Sequence, residues 1–219
     1  MISRLPRWVW GGAGVLAFIA GMINVVGFLG MEHQGITHLT GTASMFGVAL
    51  SELRPDRSFH FLGILSAFVA GAVLSGFLLA DSTLRLGRRY GAALFLETIL
   101  LVLAVPLLSS HHLAGDYLAS CAAGLQNAMA STYSGSVVRT THLTGMFTDI
   151  GIALGQFFRG IRTDRLRLLL YGIIVGSFIA GGAAGAVIFR HFGYRTLLVP
   201  AALTGLAALG YTVYQWRER

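Results

Sequence analysis

The sequence predicts an all-α polytopic membrane protein: a two-fold internal repeat with six full transmembrane helices and two short re-entrant or broken helices. Three observations lead there. Only 11% of the 219 residues are charged and 55% are hydrophobic, against about 25% charged in a soluble domain. Runs at Trp8–Gly30, Phe61–Ala80, Tyr90–Leu108, Leu168–Phe189 and Leu197–Tyr214 approach or reach the roughly 20 apolar residues that cross a bilayer as a helix. The pentapeptide THLTG occurs twice, at Thr37–Gly41 and Thr141–Gly145.

Taken in order, "MISRLPRWVW" resembles a charged signal-peptide start, but the apolar run behind it is too long for a signal h-region. It is expected to be a first transmembrane helix kept in the mature chain. Glu32 and His33 follow at the interface. The segments after each THLTG, His38–Leu53 and His142–Phe158, are short: about 16 residues at 1.5 Å each reach roughly 24 Å, less than a 30 Å hydrocarbon core. If they dip in and return, the chain makes six spans with inverted repeats. If they cross, it makes eight with parallel repeats.

The repeat extends beyond the pentapeptide. Thr37–Ser51 and Thr141–Gly155 agree at eight of fifteen positions, "AGMIN" at Ala20 echoes "AGLQN" at Ala123, and "FVAGA" at Phe68 echoes "FIAGG" at Phe178. The units are 1–108 and 109–219, in one membrane domain. All 16 basic residues are arginines. Six spans place twelve of them inside; eight place ten inside and put the "RLGRR" cluster at Arg85–Arg89 on the wrong face. The excess of basic residues in cytoplasmic loops therefore favours six spans with both termini cytoplasmic.

Partners follow from composition. The net charge of +7 is spread in short clusters between apolar runs, without the continuous positive face that nucleic acid requires. The bilayer is the main partner. Small residues at four-residue spacing in "AGAVLSG" (Ala70–Gly76) and "AGGAAGA" (Ala180–Ala186) suit close helix packing in lipid and would also suit a homodimer. The single cysteine, Cys121, allows no intramolecular disulfide and suits packing within a helix. His111 and His112 lack the carboxylate or cysteine partners a metal site needs. No phosphate-binding glycine loop, HExxH or CxxC is present, so neither an enzyme nor a cofactor is expected.

Polar residues in apolar surroundings are the site candidates. Thr37 and Thr141 suit helix N-caps, with Gly41 and Gly145 admitting another backbone. His142 and Asp149, seven apart, share a helix face; Thr144 with Thr148, and Thr40 with Ser44, share neighbouring ones. Buried amides must find partners, which marks Asn24, Gln126 and Asn127 as helix glue or cavity lining. Asp149 and Glu97 are intramembrane carboxylates, which face a cavity or a partner; Arg88 or Arg89 is in range of Glu97. Asp149 stands where the first copy has Met45. Arg139 is a topology charge.

The motifs "GLQNAMAS" (Gly124–Ser131) and "VRTTHLTGMFTDIG" (Val138–Gly151), with "HLTG" at His38–Gly41, resemble the YoaK-like family of bacterial inner-membrane proteins. That resemblance implies a multi-span protein of the bacterial inner membrane and supplies no substrate. The first-half motif departs from the family's pattern at Thr42, where an asparagine is usual.

Inverted repeats with short helices at matching positions are the architecture of secondary transporters. The leading expectation is a transporter or channel-like permease for a small polar or anionic solute or ion. Its substrate site would be built from Asn24, His38, Thr40, Gln126, Asn127, His142 and Thr144, with Asp149 and Glu97 coupling. The alternatives are a non-transporting scaffold or regulator, and an intramembrane enzyme acting on a lipid-like substrate.

Overall fold

A computed structural model describes residues 7–30, 35–79, 89–134 and 138–217. Glu32, His33, Arg85 and Arg88 lie outside the described residues. Within them all regular structure is helical: α1 (Arg7–Leu29), α2 (Leu39–Ser51), α3 (Pro55–Leu79), α4 (Arg89–Ser109), α5 (Ala114–Tyr133), α6 (Leu143–Phe158), α7 (Arg165–Phe192) and α8 (Leu198–Arg217), with a 3-10 turn at Gly193–Leu197. Four stretches are long and apolar enough to cross a membrane: Val9–Leu29, Pro55–Leu79, Arg89–Ser109 and Arg165–Val213. The last holds α7 and most of α8. The chain is a helical membrane protein.

Helix ends follow local chemistry. Proline opens α3, where its missing N–H costs nothing. Asp164 caps α7, its carboxylate accepting from Leu166 N and Arg167 N at 3.1 and 3.2 Å. Gly193, at φ +56°, ends that helix in the left-handed region that glycine occupies without a Cβ penalty. Arg190 and His191 sit in the last turn, beside the negative end of the helix dipole.

Packing fixes the direction of each helix. α1 and α7 run side by side in the same sense, Gly14 lying against Ile173 and Ser177, and Gly21 against Phe178. α3 and α5 do the same: Ser120 Oγ donates to Ile64 O at 2.9 Å and Gly124 lies against Phe68. α5 opposes α1, because Gln126 Nε2 donates to Leu16 O at 3.0 Å while Ala119 and Ala122 cluster with Ile23 and Val26. α4 opposes α8: Gly91 sits by Tyr211, and the Thr98 and Thr204 hydroxyls are 2.9 Å apart. Gly115 beside Leu108 folds α5 back along α4. Hence α1, α4 and α7 point one way and α3, α5 and α8 the other.

These directions give the bundle two ends. The near end holds the start of α1 and the finish of α8; the far end holds the finish of α1 and the start of α3. The approach to α2 and α2 itself therefore begin and return at the far end, and α6 correspondingly at the near end. α2 and α6 share no contact.

The closest helix contacts form two matching pairs. A Cβ on Gly21 would collide with the Phe178 carbonyl and one on Gly181 with the Phe18 carbonyl, between α1 and α7. A Cβ on Gly124 would collide with the Phe68 carbonyl and one on Gly71 with the Cys121 carbonyl, between α5 and α3. Only glycine lets the backbones meet this closely, and in lipid such contact is a main source of helix association.

Candidate functional site

A cavity of about 650 Å³ lies at the near end between α1, α4, α5 and α8. Val9, Ala13 and Leu16 of α1, Leu94 of α4 and Ala130 of α5 give it apolar walls. Hydroxyl-bearing residues also line it: Tyr90 of α4, Tyr133 at the end of α5, Ser134 just after it and Tyr211 of α8. The Tyr90 ring lies 5.7 Å from Tyr133 and 5.9 Å from Tyr211. Gly12, Val15 and Ala207 line the cavity and are also exposed on the outer surface. The cavity is therefore open on the side between α1 and α8. Those two helices barely touch, whereas α4 packs along α5.

Towards the far end the same four helices close. Ile19, Ile23 and Val26 of α1, Leu101, Ala104 and Leu108 of α4, Ala119 and Ala122 of α5, and Ala201 of α8 form one buried apolar cluster. Between cavity and cluster lies a polar layer, which helical spacing makes legible. The cavity stripe Tyr90–Leu94 on α4 continues through Glu97 to Leu101 of the cluster, and Ala130 on α5 continues through Gln126 to Ala122. On α8 the stripe Tyr211–Ala207 continues through Thr204 to Ala201. Glu97, Gln126 and Thr204 are 0%, 1% and 0% exposed, so the layer is dry on all these sides.

The layer is unevenly satisfied. Thr98 Oγ1 donates to Leu94 O at 3.0 Å, and the Thr204 hydroxyl lies 3.1 Å from Pro200 O. Gln126 Nε2 is used by Leu16 O. Gln126 Oε1 and both Glu97 oxygens have no hydrogen-bond partner among the described residues. Glu97 makes no ion pair with Arg89 there, contrary to the expectation from spacing.

The two THLTG copies do not assemble this cavity. Thr37 is tied to α1, its N–H and hydroxyl both directed to Asn24 Oδ1 at 3.2 and 3.0 Å. Thr141 is tied to α5, its hydroxyl donating to Asn127 Oδ1 at 3.2 Å. Each asparagine thus fixes the chain just before a short helix. The N-cap assignment is corrected by this: the N-cap residues are His38 and His142, without side-chain capping bonds, because the threonine hydroxyls serve the asparagines instead. A Cβ on Gly41 would meet nothing within 4 Å, and one on Gly145 would run into the His142 ring. Neither glycine admits a second backbone.

The remaining expected residues are scattered. His38 is half-buried by Phe28, with ring centroids 6.1 Å apart. Thr40, His142 and Thr144 are exposed. The Thr40 and Thr144 carbonyls accept from Ser44 and Thr148, each at 3.0 Å. Asp149 Oδ2 accepts from Arg167 Nη2 and from the Tyr171 hydroxyl, both at 2.8 Å, and ties α6 to α7. Arg139, His111 and His112 are exposed in loops, and Cys121 is half-buried within α5. Among the described residues no group of three His, Cys, Asp or Glu could hold a metal ion.

Two groups were missed in the sequence. One is the cavity tyrosines, whose signal is a tyrosine near the same end of α4, α5 and α8. The other is His60, buried near the start of α3, with Nδ1 3.2 Å from the Tyr117 hydroxyl and Nε2 3.8 Å from Asp116 Oδ2. A histidine early in an apolar helix is its signal.

A protein-family profile, described as a protein of unknown function (DUF1275), matches residues 12–210. The chain belongs to this family. The match takes in all of the cavity except Val9 and Tyr211, both short-helix motifs and the polar layer, and it accords with the YoaK-like resemblance of those motifs. No curated protein and no solved structure matches the chain.

Proposed function

We propose that this DUF1275 protein is a membrane carrier that moves a small solute by alternating access, its two halves being inverted copies of one unit. The observation that carries the reading is the one-sided cavity: four helices stand apart at the near end and close on an apolar cluster at the far end. A polar layer stands between. A carrier caught facing one side has this form, with the site at the helix midpoints.

Several pairings support the inverted repeat. Gly21 corresponds to Gly124 and Gly71 to Gly181, and each rests on the carbonyl of the equivalent partner helix. Asn24–Thr37 corresponds to Asn127–Thr141. With six crossing helices and the arginine distribution, the near end and both termini belong on the cytoplasmic side, in a bacterial inner membrane if the YoaK-like resemblance extends to source.

The cargo reading shifts with the lining. Apolar walls with tyrosines, and no arginine among the described lining residues, suit a solute with a substantial apolar body and a polar group, more than a small anion. Entry from the gap between α1 and α8 suits such a solute. Among the described residues the lining offers no nucleophile paired with a base, so binding and passage are favoured over chemistry. The scaffold alternative draws on the asparagine–threonine pairs, which explain the repeated motif by structure alone.

The test is flux in liposomes. Purified protein is reconstituted and screened with amphipathic and polar solutes beside Ala207→Trp, which fills the cavity from α8. Uptake by the wild type that Ala207→Trp abolishes supports the carrier. Equal permeability of wild-type and empty liposomes to every solute class, with the protein folded, overturns it.

A further inference from the structure

Glu97, as a carboxylate, makes a demand that no described residue meets. Its side chain is fully buried and both oxygens lack partners among the described residues. The arginines of the described helices stand in their first or last turns or in loops, and none reaches this level. An ionised carboxylate here would be an unpaired charge in a dry interior, which a fold does not tolerate. The groups that face the layer carry no compensating charge. α1 has no ionisable side chain after Arg7, α4 and α8 contribute Tyr90 and Tyr211, and α5 contributes Tyr133 at the cavity end and Asp116 at the far end.

A neutral carboxylic acid changes the count: it has one O–H to donate. At the same level, Gln126 has an acceptor to spare. Its amide orientation is set by chemistry, because Leu16 O can only accept and so must face Nε2. That leaves Oε1 without a donor. The antiparallel register of α4 and α5, fixed by Gly115 against Leu108, brings Glu97 opposite Gln126. Neighbouring hydroxyls are already engaged, Thr98 with Leu94 O and Thr204 with the backbone of its own helix.

We propose that Glu97 is a proton-binding site at the floor of the cavity, with Gln126 Oε1 as the acceptor for its acid hydrogen. A metal cation fits less well, since hard cations take about six oxygens and the unengaged ones at this layer are those of Glu97 and Gln126. Leu94, one turn along α4, lines the cavity, so water entering the cavity stops a single turn from the acid. Used as the coupling ion, the proton deepens the carrier reading and rests on it. The proton site itself rests on the burial of Glu97 and on the unpartnered oxygens of Glu97 and Gln126.

The experiment separates the two. Wild-type protein in liposomes is treated at neutral pH with an apolar carbodiimide, which takes the proton of a carboxylic acid onto its nitrogen and is attacked at carbon by the carboxylate oxygen, and the adduct is mapped by mass spectrometry. Infrared spectroscopy follows the carbonyl stretch of a protonated acid on the same sample. The expected result is an adduct on Glu97 and an acid band that shifts in D2O, with loss of both in Glu97→Gln. That variant mimics the neutral acid and is expected to keep the wild-type unfolding midpoint. Absence of the acid band from folded wild-type protein, or its persistence in Glu97→Gln, overturns the proposal. Neither readout involves flux, so a chain that transports nothing can still carry the proton, and a carrier can still lack it.

Discussion

Asn24 holds Thr37 through two hydrogen bonds to one oxygen, with the threonine N–H at 3.2 Å and its hydroxyl at 3.0 Å. Both residues are buried, at 5% and 0% exposure. Asn24→Ala strands a buried backbone N–H, which costs about 1–3 kcal/mol. Asn127 is half-buried and has a single bond to Thr141, so Asn127→Ala costs less. Thermal unfolding in detergent checks the order, and an equal loss in both variants would contradict it.

The glycine contacts predict a second contrast. Gly71→Ala and Gly181→Ala force a methyl group onto a carbonyl oxygen of the neighbouring helix, and overpacking of this kind costs about 1–3 kcal/mol. Gly41→Ala and Gly151→Ala meet open space and gain helix propensity of up to about 1 kcal/mol. All four are mid-chain glycines in helices, so propensity by itself predicts the same sign for each. Unfolding midpoints that fall for the first pair and hold or rise for the second confirm that contact decides.

Long helices were legible because length and hydropathy agree over Trp8–Gly30 or Tyr90–Leu108. α5 was harder to see, since Asp116, Ser120, Gln126 and Asn127 dilute its hydropathy. It is nevertheless a deeply buried helix, shielded by protein more than by lipid. The asparagines were marked as groups needing partners, and the partners proved to be the repeated threonines. The cavity was not legible. It arises where α1 and α8 fail to close, and no pattern within a single helix encodes a gap between two of them. Glu97 was marked by its chemistry, while its place below the cavity needed the register of α4 against α5.

Asp149 illustrates the limit of reading a carboxylate from its neighbours in sequence. Its partner is Arg167, with side chains 38% and 51% exposed, and Tyr171 shares the same oxygen. Partly exposed pairs of this kind contribute about 0.2–1 kcal/mol and weaken with salt. A double-mutant cycle of Asp149→Asn with Arg167→Gln, read by thermal unfolding, is expected to give a coupling below about 1 kcal/mol that shrinks at high ionic strength. A larger, salt-independent coupling would show that the tie between α6 and α7 is shielded in the membrane.

Gly12 separates folding from function at the cavity wall. It lies on the surface of α1, lines the cavity, and a Cβ there would meet nothing within 4 Å. Gly12→Leu therefore fills space without displacing a neighbour, and its helix propensity is better by up to about 1 kcal/mol. The unfolding midpoint is expected to stay or rise. Flux of any transported solute is expected to fall, because the leucine projects into the gap between α1 and α8. Gly11, the adjacent exposed glycine outside the lining, is the control: Gly11→Leu should leave flux unchanged. Equal flux in wild type, Gly12→Leu and Gly11→Leu would show that cargo does not pass between α1 and α8, whatever else the cavity holds.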